Sequence, residues 1–263
     1  MKKYLIMLLS LILLFACFQQ PDISAPVFTS KSRPDSLVEK GIDAGIDNSI
    51  YLEWEEPQTA NEEGIVGYYL YRGVIKNDDY AFNKIASIER ENGIIFKSDE
   101  YTDHEVERDT MYYYFLRSYN DFTISEGTSD TVQYKLTTPP NLRDPAGDIY
   151  DSIPSFKFVV RKFGVDNITH FYLRLFFLEQ DGYQAVFFSK LRVSDLSQTE
   201  FNIYLRSSTQ YTTILFDELW ENEGKKYLQK GKYRWKIDAI SSRLGGEPEF
   251  EGSVSDWMEF TVK

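Results

Sequence analysis

Short runs in which apolar and polar residues alternate, separated by turn residues, occupy most of this sequence after Pro26. The run from Ser49 to Trp54 and the run from Met111 to Asn120 both follow this pattern. Successive side chains of a strand point to opposite faces, so the pattern indicates half-buried strands rather than helices. Several such strands at regular spacing, with turn residues between them, predict an all-β sandwich or barrel.

The strands are predicted from these runs in both halves of the chain. In the first half they lie at 49–54, 65–74, 82–88, 111–120 and 128–136. In the second half they lie at 155–160, 168–178, 183–190, 201–205 and 211–215. The stretch from Phe216 to Tyr227 is expected to hold one short helix between strands.

Five features in the right order make about residues 26–136 similar to a fibronectin type III module. They are Trp54 on the second strand, Gly67 to Arg72 on the third, Tyr101 to Asp103, the pattern Val106-x-Arg108-x-Thr110-x-Tyr112, and Glu126 to Ser129. The resemblance implies an immunoglobulin-like β-sandwich over residues 26–137. It also implies that the hydroxyl of Tyr112 bonds back to the preceding loop, as the corner tyrosine of such modules does.

The second half repeats parts of this scheme after a linker at Thr137-Thr-Pro-Pro140. Gly231 to Ala239 matches the Tyr112 strand, and Glu251 to Asp256 matches the start of the closing strand at Glu126 to Asp130. An internal repeat of this kind indicates two units built in the same way. Residues 138–263 are therefore predicted to form a second immunoglobulin-like or divergent fibronectin type III sandwich.

The first residues read as a targeting segment. Lys2 and Lys3 precede the apolar run Tyr4 to Ala16, which is shorter than the about 17–25 residues that cross a bilayer as a helix. Leu14-Phe-Ala-Cys17 resembles the lipobox of bacterial lipoproteins and contains the single Cys of the chain. The alternative is an unprocessed apolar start with an incidental Cys.

The lipoprotein resemblance implies a signal peptide at 1–16 and a lipidated Cys17 as the mature N-terminus, followed by a polar tether over 17–25. Stable membrane anchoring takes more than one acyl chain, and this pattern supplies two or three. The expected location is the bacterial cell envelope, outside the cytoplasm. Phe18 stands where an inner-membrane retention signal such as Asp would lie, which favours the outer membrane.

Charge and cysteine content exclude several classes of function. The chain has 29 Lys and Arg against 41 Asp and Glu, for a net charge of −12. Because nucleic-acid binding needs clustered Lys and Arg, a nucleic-acid partner is not expected. One Cys excludes a disulfide within the chain and a zinc site built from cysteines.

The sequence carries no catalytic motif such as a phosphate-binding loop, G-x-S-x-G or H-E-x-x-H. Its two histidines, His104 and His170, fall in different predicted modules. Carboxylate pairs occur at Glu55-Glu56, Glu62-Glu63 and Asp78-Asp79, where solvated loop acids are the simpler interpretation. Oxygen-rich turns at Asn77 to Asp79 and at Asp43 and Asp47 leave a calcium site open. No enzyme activity, cofactor or metal is predicted.

Strand parity predicts a surface rich in aromatic rings on the first module. If Tyr112 and Tyr114 face the core, alternate residues of the same strand and of the third strand face outward. We call these six outward residues the aromatic face: Tyr69, Tyr71, Tyr113, Phe115, Arg117 and Tyr119. Tyr and Arg are enriched at the centres of interfaces, and large exposed apolar patches usually have a use. Two other interpretations are cross-strand pairs that only stabilise the sheet, and coverage by the second module.

The resulting expectation is a non-catalytic envelope lipoprotein that binds a protein or glycan partner through its β-sandwich modules. Within the binding class, the alternative is carbohydrate recognition by tyrosine stacking. From a different class, the alternative is an accessory subunit of an envelope enzyme or secretion complex. Fold alone does not distinguish these functions.

Overall fold

The computed structural model describes residues 22–31, 40–76, 79–90, 99–161, 168–192, 198–204, 211–215, 221–222, 225–241 and 250–263. In these ranges the chain is all-β, as predicted, and contains no helix. Accordingly, these ranges include no helix that is long and apolar enough to span a membrane. The predicted signal peptide and Cys17 lie outside the described residues.

The first half of the chain forms eight strands in two layers. They are β1 (Val27–Phe28), β2 (Asp43–Gly45), β3 (Ser49–Glu55), β4 (Gly67–Lys76), β5 (Asp79–Glu89), β6 (Glu100–Asp103), β7 (Met111–Tyr119) and β8 (Val132–Leu136). One layer joins β1, β2 and β6 to β3, and the other has the order β8-β7-β4-β5. The five strands predicted for this half are confirmed, whereas β1, β2 and β6 are too short to show a repeating pattern.

The core of the first half lies between these two layers. Ile50, Leu52 and Trp54 of β3 are almost fully buried and face Tyr68 and Leu70 of β4. The rings of Trp54 and Tyr68 meet edge to face, with centroids 6.0 Å apart. Alternate residues of each strand thus fill the space between layers, which is the packing of a β-sandwich.

The second half forms twelve strands. They are β9 (Asn141–Asp144), β10 (Gly147–Ile149), β11 (Ser155–Val159), β12 (His170–Glu179), β13 (Gly182–Arg192), β14 (Glu200–Tyr204), β15 (Tyr211–Leu215), β16 (Glu221–Asn222), β17 (Lys225–Lys226), β18 (Gly231–Ile240), β19 (Glu251–Val254) and β20 (Met258–Val262). The predicted helix at 216–227 is wrong for the residues described there, because β16 and β17 pair as a short antiparallel ribbon.

The second core also lies between two layers. Phe156 and Phe158 of β11, in the layer β14-β11-β9, face residues of β12 and β18. Phe156 meets Trp235 edge to face at 5.1 Å, and Phe158 meets Phe171 at 5.0 Å. Phe158 thus occupies a core position comparable to that of Trp54.

Two local hydrogen-bond arrangements occur in both halves. The N–H of Ser129 donates to the carbonyl of Leu116, and the Ser129 hydroxyl accepts from the Leu116 N–H. Ser255 makes the same pair of bonds with Ile237. Each serine therefore continues the pairing of a closing strand at a point where the regular ladder is interrupted.

The corner tyrosines form the second repeated arrangement. The Tyr112 hydroxyl accepts a hydrogen bond from the N–H of Glu107 at 3.0 Å, so it bonds back to the preceding loop as expected. The hydroxyl of Tyr233 donates to the carbonyl of Gln229 at 2.9 Å. Both rings therefore fix the loop that leads into their strand.

The two halves share one sheet of eleven strands. Its main path is β15-β13-β12-β18-β19-β8-β7-β4-β5, and β8 pairs with β19 in parallel. The N–H groups of Lys135 and Thr137 donate to the carbonyls of Phe250 and Gly252, and Lys135 forms an ion pair with Glu251. Thr137, the first residue of the predicted linker, is buried in this junction.

Residues 22–25 differ from the predicted tether. Ile23 is only 4% exposed and belongs to the first core. The N–H and hydroxyl of Ser24 both donate to the carboxylate of Glu63, and the N–H of Glu126 donates to Asp22. An apolar side chain that can reach the core gains free energy by burial, so this end of the segment lies against the first half.

Candidate functional site

The aromatic face lies on the outer side of the β8-β7-β4-β5 layer. In β7, buried and half-buried side chains alternate along the whole strand, with Tyr112 and Tyr114 inside and Tyr113 and Phe115 outside. On β4, Tyr68 and Leu70 are buried while Tyr69 is half-buried. The predicted parity of both strands is therefore confirmed, and all six residues are on one side of the sheet.

The rings of this face stack across the two strands. Tyr71 lies opposite Phe115, and their ring planes are 12° apart at a centroid distance of 4.7 Å. Tyr69 stacks on Tyr119 at 4.3 Å, diagonally across the pair of strands. Such cross-strand aromatic pairs stabilise a sheet by about 0.2–1 kcal/mol each. The rings are thus held in fixed orientations before any partner arrives.

Two glycines of β4 make room for rings of the neighbouring strands. A Cβ on Gly67 would lie 2.6 Å from the Tyr119 hydroxyl, and a Cβ on Gly73 would lie 2.6 Å from the Phe82 ring. The Phe82 ring also meets Phe115 edge to face at 4.8 Å. Aromatic rings that cover strand glycines are a known way to restore packing where a side chain is missing. Phe82 of β5 therefore extends the aromatic face.

Two cations lie among the rings. The ammonium of Lys84 is 4.1 Å from the centroid of Tyr69, within the range of a cation–π contact. Arg117 lies opposite Tyr69, and its Nε is buried without a hydrogen-bond acceptor in the part of the chain that is described. The face therefore combines flat apolar surface with positive charge in an otherwise acidic chain.

The aromatic face is less exposed than the sequence suggested. Each of its six residues is half-buried, whereas Phe122 and Tyr150 elsewhere are 79% and 86% exposed. The reason is local: the rings lie flat against one another, and Phe82 and Lys84 of β5 cover part of them. The strands of the second half join the sheet beyond β8, on the side away from β4, and the contacts described here that cover the face come from the first half.

A second cationic and aromatic cluster lies in the second half, and sequence analysis missed it. The guanidinium of Arg234 is 4.1 Å from the ring centroid of Tyr183 and 4.2 Å from that of Trp257. Phe176 meets Trp257 edge to face at 5.2 Å. The sequence could have predicted the outward position of Arg234. The match that aligns Tyr233 with Tyr112 also aligns Arg234 with the outward-facing Tyr113.

Beside this cluster, the same outer surface holds a buried ion pair. Arg174 of β12 donates to Asp238 of β18, and their side chains are 7% and 8% exposed. The ammonium of Lys236 lies 3.4 Å from the same carboxylate. Through the register of the strands, Arg174 and Lys236 occupy the places that Tyr71 and Phe115 occupy in the first half.

The predicted titratable candidates do not come together. His104 is exposed in the first half, and His170 is half-buried in the second. Burial, with the charges of Lys190 and Arg192, lowers the pKa of His170 to about 4. Glu56 forms an ion pair with Arg90, and Glu63 accepts hydrogen bonds from Ser24. These carboxylates have structural partners.

In the turn considered as a calcium site, one of the two aspartates already has protein partners. Asp43 forms an ion pair with Lys31 at 3.1 Å and accepts a hydrogen bond from the Tyr134 hydroxyl. Asn77 and Asp78 lie outside the described residues. Within the ranges that are described, no three His, Cys, Asp or Glu side chains group as metal ligands would.

Asp103, named above only as part of the fibronectin-like pattern, is a buried acid of the first half. Asp103 is 2% exposed, and Nη1 of Arg72 donates to both of its oxygens at 2.9 Å. The Tyr114 hydroxyl donates to the same carboxylate at 3.0 Å. Burial, together with the negative charge of Asp103, raises the pKa of Tyr114. This group ties β4, β6 and β7 together.

Comparison with known proteins adds no further candidate for the site. No protein-family model matches the chain, and no curated protein matches it either. The aromatic face is therefore the surface from which a function is inferred.

Proposed function

We propose that this chain is a non-catalytic lipoprotein of the bacterial cell envelope that binds a partner through the aromatic face. The observation that carries the proposal is that two pairs of rings stack on this face: Tyr69 on Tyr119, and Tyr71 on Phe115. The positively charged side chains of Arg117 and Lys84 lie beside them. Rigid aromatic rings lose little conformational entropy on binding, and Tyr and Arg dominate interface hot spots. Of a protein and a glycan partner, this composition favours a protein.

The proposed scaffold is a tandem of two immunoglobulin-like modules of fibronectin type III character, residues 26–137 and 138–263. Its support is the repetition of hydrogen bonds, with Ser129 matched by Ser255 and Tyr112 matched by Tyr233. The two layered cores, one ending at Leu136 and the other beginning at Leu142, agree with this division.

The proposed anchor is a lipid on Cys17, with the folded part outside the cytoplasm. It rests on the sequence from Leu14 to Cys17 and on the apolar run before it. Phe18 favours the outer membrane over the inner one. With Asp22 to Ala25 held against the first half, a short segment would connect the lipid to the folded part. The sheet would then stand close to the membrane surface.

In-cell cross-linking tests the binding role. Cells carrying the full-length tagged chain would be cross-linked beside cells carrying a variant with Tyr69→Ser, Tyr71→Ser and Tyr113→Ser. We expect one protein partner to be captured by the original chain and lost with the variant. Tyr150→Ser is the matched control, because Tyr150 is 86% exposed and lies outside the aromatic face.

A second variant separates loss of binding from loss of folding. Tyr69→Phe and Tyr71→Phe keep the stacked rings and remove only the hydroxyl groups, so they should retain most of the capture. Capture that is equal for the original chain and the folded Ser variant would overturn the binding role of this face. Capture of glycan without protein would contradict the choice of a protein partner.

A further inference from the structure

A cleft of about 580 Å³ lies where the two halves of the molecule meet. Arg108 of the first half forms one side, and the segments 138–143, 159–161 and 255–258 form the rest. Small-ligand pockets have volumes of about 300–1,000 Å³, so the cleft can accept a ligand of a few sugar rings. It is separate from the aromatic face, which lies on β4 and β7.

The charge of this cleft is opposite to that of the chain. Among the described residues that line it are three arginines, Arg108, Arg143 and Arg161, and one acidic residue, Asp256. The chain as a whole carries a net charge of −12. Nε of Arg108 donates to the amide oxygen of Asn48, which is neutral. Among the described residues none of the three arginines forms an ion pair with a carboxylate, so their charge is available to a ligand.

One wall of the cleft is apolar and held in place. Trp257 lines it together with Pro139 and Pro140. The guanidinium of Arg234 lies 4.2 Å from the centroid of Trp257, and Phe176 packs against the same ring. Because these contacts already fix the half-buried Trp257 ring, its part that lines the cleft can contact a sugar with little further loss of conformational freedom.

We propose that the cleft binds an anionic oligosaccharide, one whose sugar rings carry carboxylate or phosphate groups. The planar guanidinium group of Arg matches both anions with two parallel hydrogen bonds. Trp257 and the prolines contact the sugar rings between the charged groups. The negative charge elsewhere on the chain repels a long polyanion such as nucleic acid and leaves a short anionic ligand as the one that fits.

Calorimetric titration of the full-length chain in non-ionic detergent tests this site. The probes are trigalacturonate, which carries carboxylates, glucose 6-phosphate, which carries a phosphate, neutral galactotriose and inorganic phosphate. We expect saturable binding of at least one charged sugar, weakened by added salt, and no binding of galactotriose. Which of the two charged sugars binds identifies the anion.

Replacement of two arginines locates the binding. Arg143→Gln with Arg161→Gln should raise the Kd about tenfold for each arginine, the usual loss for a hydrogen bond to a charged group. Arg192→Gln with Lys230→Gln removes the same charge from exposed positions elsewhere and should change the Kd little. The aromatic-face variant Tyr69→Ser with Tyr71→Ser should also bind normally, so failure of one site is distinguishable from failure of the other.

Three outcomes would overturn the proposal. One is the absence of saturable binding to both charged sugars. The second is an equal rise in Kd for the cleft variant and the surface control, which would show a general charge effect. The third is binding of inorganic phosphate alone as tightly as the charged sugars, which would show that Trp257 and the prolines take no part.

Discussion

The two halves of this molecule share two internal hydrogen-bond arrangements and have different outer surfaces. Inside, the corner bonds of Tyr112 and Tyr233 and the paired bonds of Ser129 and Ser255 repeat. Outside, the places of Tyr71 and Phe115 are taken by Arg174 and Lys236. Residues that set the path of the backbone are thus alike in the two halves, and residues that face away from the core differ. Binding properties should differ accordingly.

The largest expected effect comes from the ion pair that only the second half has at this place. Asp238→Ala leaves Arg174 and Lys236 side by side in a site where all three side chains are under 10% exposed. Removing one partner of a buried ion pair costs about 3–5 kcal/mol of unfolding free energy. Denaturant unfolding of the full chain, followed by circular dichroism, measures this loss.

The equivalent position of the first half provides the comparison. Arg117 lies where Asp238 lies, but it is half-buried among aromatic rings. Arg117→Ala should therefore lower the free energy of unfolding by less than about 1 kcal/mol, as substitutions outside buried ion pairs usually do. If Asp238→Ala and Arg117→Ala lowered the free energy of unfolding equally, the two outer surfaces would contribute equally to stability, and the expected difference between the halves would be wrong.

A smaller effect is expected from two glycines that each follow a glutamate in the segments matched by sequence, Glu126 to Asp130 and Glu251 to Asp256. A Cβ on Gly252 would lie 2.7 Å from the Tyr134 hydroxyl and 2.8 Å from the carbonyl oxygen of Ala239, whereas nothing lies within 4 Å of a Cβ on Gly127. Gly252→Ala should cost about 1–3 kcal/mol, the usual effect of overpacking. Gly127→Ala should stay within about 0.5 kcal/mol, the range of ordinary surface substitutions.

Thermal unfolding of both glycine variants checks this prediction. Gly252 lies on β19, where the halves join, so its variant should also loosen the junction between Thr137 and Ser253. Protection of the Thr137 N–H from hydrogen exchange reports on that junction directly. Unchanged protection in a destabilised Gly252→Ala protein would place the strain inside the second half instead.

The last expected effect concerns the stability of the protein in acid, and it also distinguishes the two halves. The pKa of His170 is lowered from 6.5 to about 4 by burial and by the nearby Lys190 and Arg192. Below pH 6.5 the unfolded chain therefore binds a proton that the folded chain does not, so stability falls as the pH drops toward 4. Below pH 4 both states are protonated and this contribution is constant.

His170→Gln should reduce the loss of stability between pH 7 and pH 4, measured as the shift in denaturation midpoint. His104→Gln, at the exposed histidine of the first half, is the matched control for the substitution itself. A pH dependence that is the same in the original chain and in His170→Gln would remove His170 as its source.

The sequence was sufficient for the parts of the fold that local patterns determine. The alternation from Met111 to Tyr119 predicts both the strand and its two faces, because strand parity is a local property. The same parity places Tyr69 and Tyr71 on the outer face. It does not reveal how far neighbouring rings cover them, since that depends on Phe82 of β5 lying over Gly73.

What the sequence did not reveal depends on contacts between distant residues. The pairing of β8 with β19 joins residues more than a hundred positions apart, and no local pattern encodes it. Ile23 likewise is buried in a core whose other residues, as far along the chain as Leu136, are distant from it in sequence. The ion pair of Arg174, by contrast, could have been predicted in part. A charged residue inside an apolar strand is seldom buried without a partner, and Arg174 donates to Asp238.

The junction between β8 and β19 also bears on association between molecules. A strand at the edge of a sheet offers unpaired N–H and carbonyl groups to any other chain, which makes exposed edges prone to aggregation. Here the N–H groups of Lys135 and Thr137 are bonded to the second half. Each half thus protects an edge of the other, and a protein cut after Thr138 would expose both edges and be expected to self-associate.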